Sequence, residues 1–134
     1  VKKELVRPKS QAQEEGDAVE DILREWIRKN LPSSFFKGTR DRNTLKAYKD
    51  IMTWVQNGAT FTAAEKAKFA QGADGWLIAF AKASDMLVVT HEAEVPSESS
   101  RVKIPNVCRA FQVEYCDTFN MLRDLDEQFV PKRR

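Results

Sequence analysis

Histidine occurs once in this chain of 134 residues, at position 91, and cysteine twice, at 108 and 116. A lone imidazole excludes paired-histidine metal motifs. Two thiols without Cys-x-x-Cys or Cys-His spacing exclude a disulfide framework, a zinc site and dithiol redox chemistry. Buried thiols in a reducing compartment are the expectation, and with it a cytoplasmic protein. Glycine and proline number five each, too few for a collagen-like or low-complexity chain. The glycines form neither a phosphate-cradling loop nor a nucleophile elbow. Long apolar runs are also missing. The longest, residues 76–81, falls far short of the roughly 20 residues that span a bilayer, so no membrane is expected. No basic n-region with an apolar stretch opens the chain, which leaves secretion unsupported. Neither sign of charge dominates: 22 Lys plus Arg face 20 Asp plus Glu, net +2. Bulk charge therefore neither demands nor forbids a polyanionic partner.

What is present suits one globular domain over residues 1–134, 42% hydrophobic and without internal repeats. A chain of this length buries roughly 68% of the surface its unfolded form exposes, enough for a core without staples. Charge is unevenly spread. Lys37, Arg40, Arg42, Lys46 and Lys49 cluster against one acid, Asp41, and further basic groups stand at Lys2, Lys3, Arg7 and Lys9 and at Lys132, Arg133 and Arg134. Such clusters can neutralise backbone phosphates, although on surface helices they are ordinarily a solvated face.

Periodicity places the elements. Asp17 with Glu20 reads as a capping box opening a helix with Val19, Ile22, Leu23, Trp26, Ile27 and Leu31 on its apolar side, stopped by Pro32. Phe35 and Phe36 suit either a short strand or a loop anchor. Asn43 caps a second helix bearing Leu45, Tyr48, Ile51, Met52 and Val55, which Gly58 ends. Thr62 and Glu65 form another capping box before an Ala-rich helix that breaks near Gly72. The helix from Asp74 through Ala81 is apolar nearly all round, so it lies against the centre of the domain. Residues 86–90 then read as a buried parallel strand. Ile104-Pro105 starts a helix with Val107, Cys108 and Phe111, residues 112–116 a short strand, and Asp117 a last helix with Phe119, Leu122 and Leu125. That helix suits core or, with Met121 and Phe129, a dimer face. Strand, helix, strand, helix in this order is the crossover unit of a layered α/β domain.

In open parallel sheets the reactive crevice lies at the carboxyl ends of strands. Thr90, His91 and Glu92 occupy such an end, and Asp74 starts the helix that delivers the chain into the same strand. Two acids, with a third from elsewhere, supply the oxygen ligands that a hard divalent cation needs. Each also has an ordinary explanation: Asp74 as a helix cap, Glu92 as a loop carboxylate, His91 as a surface residue.

Three runs in order, Ala73-Asp74-Gly75-Trp76-Leu77-Ile78-Ala79, then Val88-Val89-Thr90-His91-Glu92, then Lys103-Ile104-Pro105-Asn106-Val107-Cys108, resemble the carboxyl half of a PIN-like domain. More narrowly, they are similar to a prokaryotic PIN-like family of unknown function related to VapC-type toxins. The resemblance implies a helix-rich three-layer α/β/α domain with a short parallel sheet. It also implies a metal-dependent endoribonuclease in which acids gather Mg²⁺ or Mn²⁺ to activate water. Carried over, Glu4 is the acid on the early helix, Asp74 the acid at the start of the buried helix and Glu92 the acid at the strand end, with Thr90 helping to place a ligand or water. Asn106 stands where that family has Asp and contributes no charge. Lys37, Arg40, Arg42, Lys46 and Lys49 become candidate phosphate contacts, with RNA as substrate. An antitoxin protein as partner and a homodimer belong to the same expectation. The departure is at the front: such a domain opens on a central strand ending in Asp, which here would precede Val1. The expectation is therefore that this chain is the carboxyl portion of a longer protein. The alternative is a PIN-like module without catalysis that binds RNA or a partner protein.

Overall fold

The computed structural model describes residues 11–126, which fall into two compact units divided between Lys37 and Gly38. The first is built on α1 (Gln11–Asn30), followed by a single 3-10 turn at Ser33–Phe35. The capping box expected at Asp17 does not start this helix. It begins at Gln11 and carries Asp17 in its interior, because Gln, Ala and Glu ahead of Gly16 are strong helix formers that outweigh the ~1 kcal/mol cost of one glycine. Pairs at helical spacing, Arg24 to Glu20 at 2.7 Å and Lys29 to Glu25 at 2.9 Å, line its polar side. Asn30 Nδ2 donates to the Trp26 carbonyl at 2.8 Å near its end. Along its apolar stripe Val19, Ile22, Leu23 and Trp26 are exposed. Phe35 and Phe36 form no strand; their rings meet edge to face at 5.5 Å, both exposed.

The second unit runs α2 (Arg42–Asn57), α3 (Ala63–Gln71), α4 (Asp74–Ser84), β1 (Val88–Val89), α5 (Ile104–Phe111), β2 (Tyr115–Cys116) and α6 (Thr118–Asp124). The class is α/β as expected, helix-rich around a two-stranded parallel sheet with Val88 opposite Tyr115 and Val89 opposite Cys116. Asp41, not Asn43, caps α2. Its carboxylate accepts the Thr44 N–H at 2.9 Å and the Thr44 hydroxyl at 2.5 Å, which lets Thr44 be fully buried without an unsatisfied polar group.

The core lies between α4 and α2. Ala47, Ile51 and Val55 pack with Ile78, Ala79 and Ala81, and the cluster is completed by Phe69, Val88, Val102, Ile104, Val107, Cys108 and Val113. Each fully buried Ile or Val contributes ~1.5–3 kcal/mol relative to exposure. Close approach depends on Gly75, where an added Cβ would sit 3.1 Å from the Tyr48 ring and 3.2 Å from the Phe69 ring. Beside it Tyr48 and Trp76 stack at 3.7 Å with planes 6° apart.

The ends of α4 and α5 share one turn. Asp85 (φ 53°) and Gln112 (φ 57°) are left-handed, and the following N–H groups, Met86 and Val113, reach back to the Ala81 and Cys108 carbonyls at 2.9 and 2.8 Å. Each turn delivers the chain into a strand at the same offset, which sets the parallel register. The strands are shorter than the apolar runs suggest. Gln112 is spent on the turn, and the run 86–90 is buried on one side only: Val88 is buried, while Leu87 is 43% exposed and Val89 36%. Asp117 does cap α6, accepting the Asn120 N–H at 2.7 Å. Its apolar side is not core: Phe119 and Leu125 are exposed, and no residue of α6 is buried.

Candidate functional site

Asp74 is the first residue of α4 rather than its cap. Ala73 holds the cap position with helical backbone, and no side-chain cap bond forms there. The half-buried carboxylate thus sits in the first turn of the helix, at the positive end of its dipole.

Glu92 lies three residues beyond β1 and is fixed by three contacts. Its N–H donates to the Thr90 hydroxyl at 3.1 Å, one carboxylate oxygen accepts from Lys103 Nζ at 3.1 Å, and the other accepts the Ile104 N–H at 2.8 Å. The last of these satisfies a free donor in the first turn of α5, whose cap residue Lys103 offers no side-chain acceptor. A loop carboxylate is in this way tied to a helix start.

Asp74 and Glu92 line one cleft of about 160 Å³, and a third acid, Glu65, lines it with them. Glu65 was legible only as half of a capping box. Thr62 does accept the Glu65 N–H at 3.2 Å, but the Glu65 carboxylate turns away to accept the Val102 N–H at 3.3 Å, and the Thr62 N–H goes to the Ser100 carbonyl. The same cleft carries Lys68, Arg101 and Lys103. A usable signal for the last two is the alternation Arg101, Val102, Lys103, Ile104: Val102 and Ile104 are buried, so in extended chain both cations point the other way.

The remaining candidates lie elsewhere. Thr90 borders a neighbouring cleft at the carboxyl ends of the strands, with His91, Glu92 and Asp117, and His91 Nε2 is 2.8 Å from the Thr118 hydroxyl. Lys37 ends the first unit, while Arg40, Arg42, Lys46 and Lys49 belong to the second; all five are exposed. Arg42, Lys46 and Lys49 share one face of α2, opposite Ala47, Ile51 and Val55 and hence opposite the side on which α4 packs. None of them lines the Asp74 cleft. Glu4, Phe129 and the terminal basic clusters fall outside the described residues. Asn106 has a structural role: its side-chain oxygen accepts the Val95 N–H at 3.0 Å and its NH₂ donates to the Val95 carbonyl at 2.7 Å.

For a divalent cation the donor set is right in kind, carboxylate oxygens without sulfur or imidazole. Among the described residues, however, no three acidic, histidine or cysteine side chains converge on one metal position, and Lys103 stands against Glu92 as an internal counter-cation. No helix among the described residues is long and apolar enough to cross a membrane. No curated protein and no solved structure matches the chain. Residues 1–129 match the family described as Domain of unknown function (DUF4411), and the chain therefore belongs to that family.

Proposed function

We propose that the protein is a PIN-like, metal-dependent endoribonuclease whose centre is the Asp74–Glu92 cleft. The observation that carries this reading is the meeting of those two acids: they lie on different elements, one opening α4 and one following β1, yet line the same small cleft. Asp74 and Glu92 would hold Mg²⁺ or Mn²⁺; Glu4, the early acid that the PIN-like resemblance adds, lies outside the described residues. Bound there, the ion supplies Lewis acidity and an activated water to a phosphodiester. The protein's own share is positional. Thr90 and Ile104 fix Glu92, while Lys68, Arg101 and Lys103 offer cations to the phosphates of an RNA strand. An antitoxin that covers the cleft and a homodimer are further partners that the PIN-like reading implies.

A second reading, RNA binding without cleavage, is favoured by the Lys103–Glu92 pair, which already neutralises one of the two acids.

Cleavage of a labelled RNA, with Mg²⁺ or Mn²⁺ and with EDTA, separates the two. The nuclease reading expects metal-dependent cleavage that Asp74→Asn and Glu92→Gln each reduce by at least ~100-fold. Glutamine keeps an oxygen for the Ile104 N–H, so loss of activity would not reflect a lost helix start. Undiminished cleavage in both variants refutes the site, and salt-sensitive binding without cleavage in excess Mn²⁺ establishes the second reading.

A further inference from the structure

A second cleft, of about 700 Å³, opens beside the acidic one and shares Arg101 with it. Its wall is aromatic. Trp54 of α2 is 36% exposed and is held by edge-to-face contacts with Phe61 at 5.5 Å and Phe111 at 6.0 Å. Phe61 is pressed onto the backbone at Gly58, where an added Cβ would lie 2.4 Å from a ring carbon. A glycine is thus required for this ring to sit where it braces Trp54. The segment between α2 and α3 is held as well, by Lys66 Nζ donating to the Gln56 carbonyl at 2.7 Å.

The two guanidinium groups of this cleft are not equivalent. Arg109 is paired with Glu94, whereas Arg101 has no acid within ion-pair distance among the described residues and lies where the two clefts join. An exposed indole on a rigid aromatic base, in one cleft with a guanidinium that makes no ion pair among the described residues, suits a ligand with both a flat π-face and a negative charge. The aromatic side chain of an apolar peptide meets the first requirement and leaves Arg101 unmatched. A nucleotide meets both.

We infer that this cleft takes an unpaired base of single-stranded RNA, stacked on Trp54, with the adjoining phosphate on Arg101 and the next stretch of backbone led into the Asp74–Glu92 cleft. The inference rests on the reading of RNA as substrate and adds to it a base-stacking subsite at Trp54. Bases of a duplex are stacked on one another and cannot lie on the indole, so single strands are selected.

The test is binding of a fluorescently labelled RNA octamer, followed by anisotropy in EDTA, where no cleavage can occur. Trp54→Leu keeps apolar bulk without a π-face and is expected to weaken binding about tenfold, while Trp54→Phe stays within about threefold of the parent. Thermal unfolding of both variants verifies that each is folded. Replacing successive nucleotides by abasic ones should reveal one position at which parent and Trp54→Leu bind equally. Arg101→Ala should lower the slope of log K against log salt by about 0.7. Equal affinity of folded Trp54→Leu and parent for the intact octamer overturns the proposal, as does an equal loss toward duplex RNA. Because metal is absent, these outcomes are independent of the cleavage result: stacking with no cleavage removes the nuclease and leaves this site standing.

Discussion

Lys103 Nζ lies 3.1 Å from Glu92 Oε1, and the next residue in the chain, Ile104, donates its N–H to the other oxygen of the same carboxylate at 2.8 Å. One acid thereby anchors the start of α5 and is neutralised inside the cleft that Asp74 shares. A cation bound by Asp74 and Glu92 has to displace this ammonium. Lys103→Met is therefore expected to raise Mn²⁺ affinity roughly three- to tenfold, by removing a competing charge. Titration calorimetry of parent and variant checks this; weaker binding in the variant would show that Lys103 assists rather than competes.

Glu92→Ala should cost about 1–2 kcal/mol of folding stability, since the Ile104 N–H loses its acceptor. Urea unfolding measures the loss, and the Glu92→Gln variant is expected to recover most of it.

Asn106 both gives and accepts a hydrogen bond with the backbone of Val95, which an ionised Asp cannot do. The substitution Asn106→Asp places a carboxylate against the Val95 carbonyl and is expected to destabilise by about 1–3 kcal/mol. Asn106 thus holds the Val95 backbone against α5. An unchanged urea midpoint in Asn106→Asp would remove this role.

Gly75→Ala improves helix propensity by up to ~1 kcal/mol. The Cβ contacts with Tyr48 and Phe69 oppose it, and the neighbours are packed rings rather than flexible chain ends. Overpacking of this kind costs ~1–3 kcal/mol, so a net loss is expected in thermal unfolding, larger than for the exposed control Gly38→Ala, where an added Cβ meets nothing.

Burial raises the Cys108 thiol from its ordinary value of 9.0 to about 11. The folded chain then keeps a proton that the unfolded chain releases, so stability is at its full value below pH 9 and falls as pH rises through 9 toward 11. Cys108→Ala is expected to flatten that fall in urea midpoints between pH 8 and 11. At pH 8 a thiol reagent should modify the half-buried Cys116 in the native protein and Cys108 only after unfolding.

Local chemistry was legible along most of the chain. Thr62 and Asp117 cap helices because a short oxygen-bearing side chain three positions before a free N–H needs nothing from the rest of the fold. The helix from Asp74 and the proline-led start of α5 are local in the same sense. Readings failed where two local signals competed. Asp41 outbids Asn43 because its carboxylate reaches both the N–H and the hydroxyl of Thr44, and α1 runs back past Asp17 because nothing ahead of it stops a helix.

The sequence by itself determined the helices, their order around two short apolar strands, and the two acids placed beside them. Their period and caps act within a few residues, and local sterics decide them. Tertiary structure alone decided that Glu65, Lys68, Arg101 and Lys103 share the cleft with those acids, and that Arg42, Lys46 and Lys49 do not. It also chose the left-handed residues Asp85 and Gln112, which carry no glycine or asparagine signature. These depend on how α4 and α5 pack and turn into the sheet, and such long-range contacts leave no local period to read.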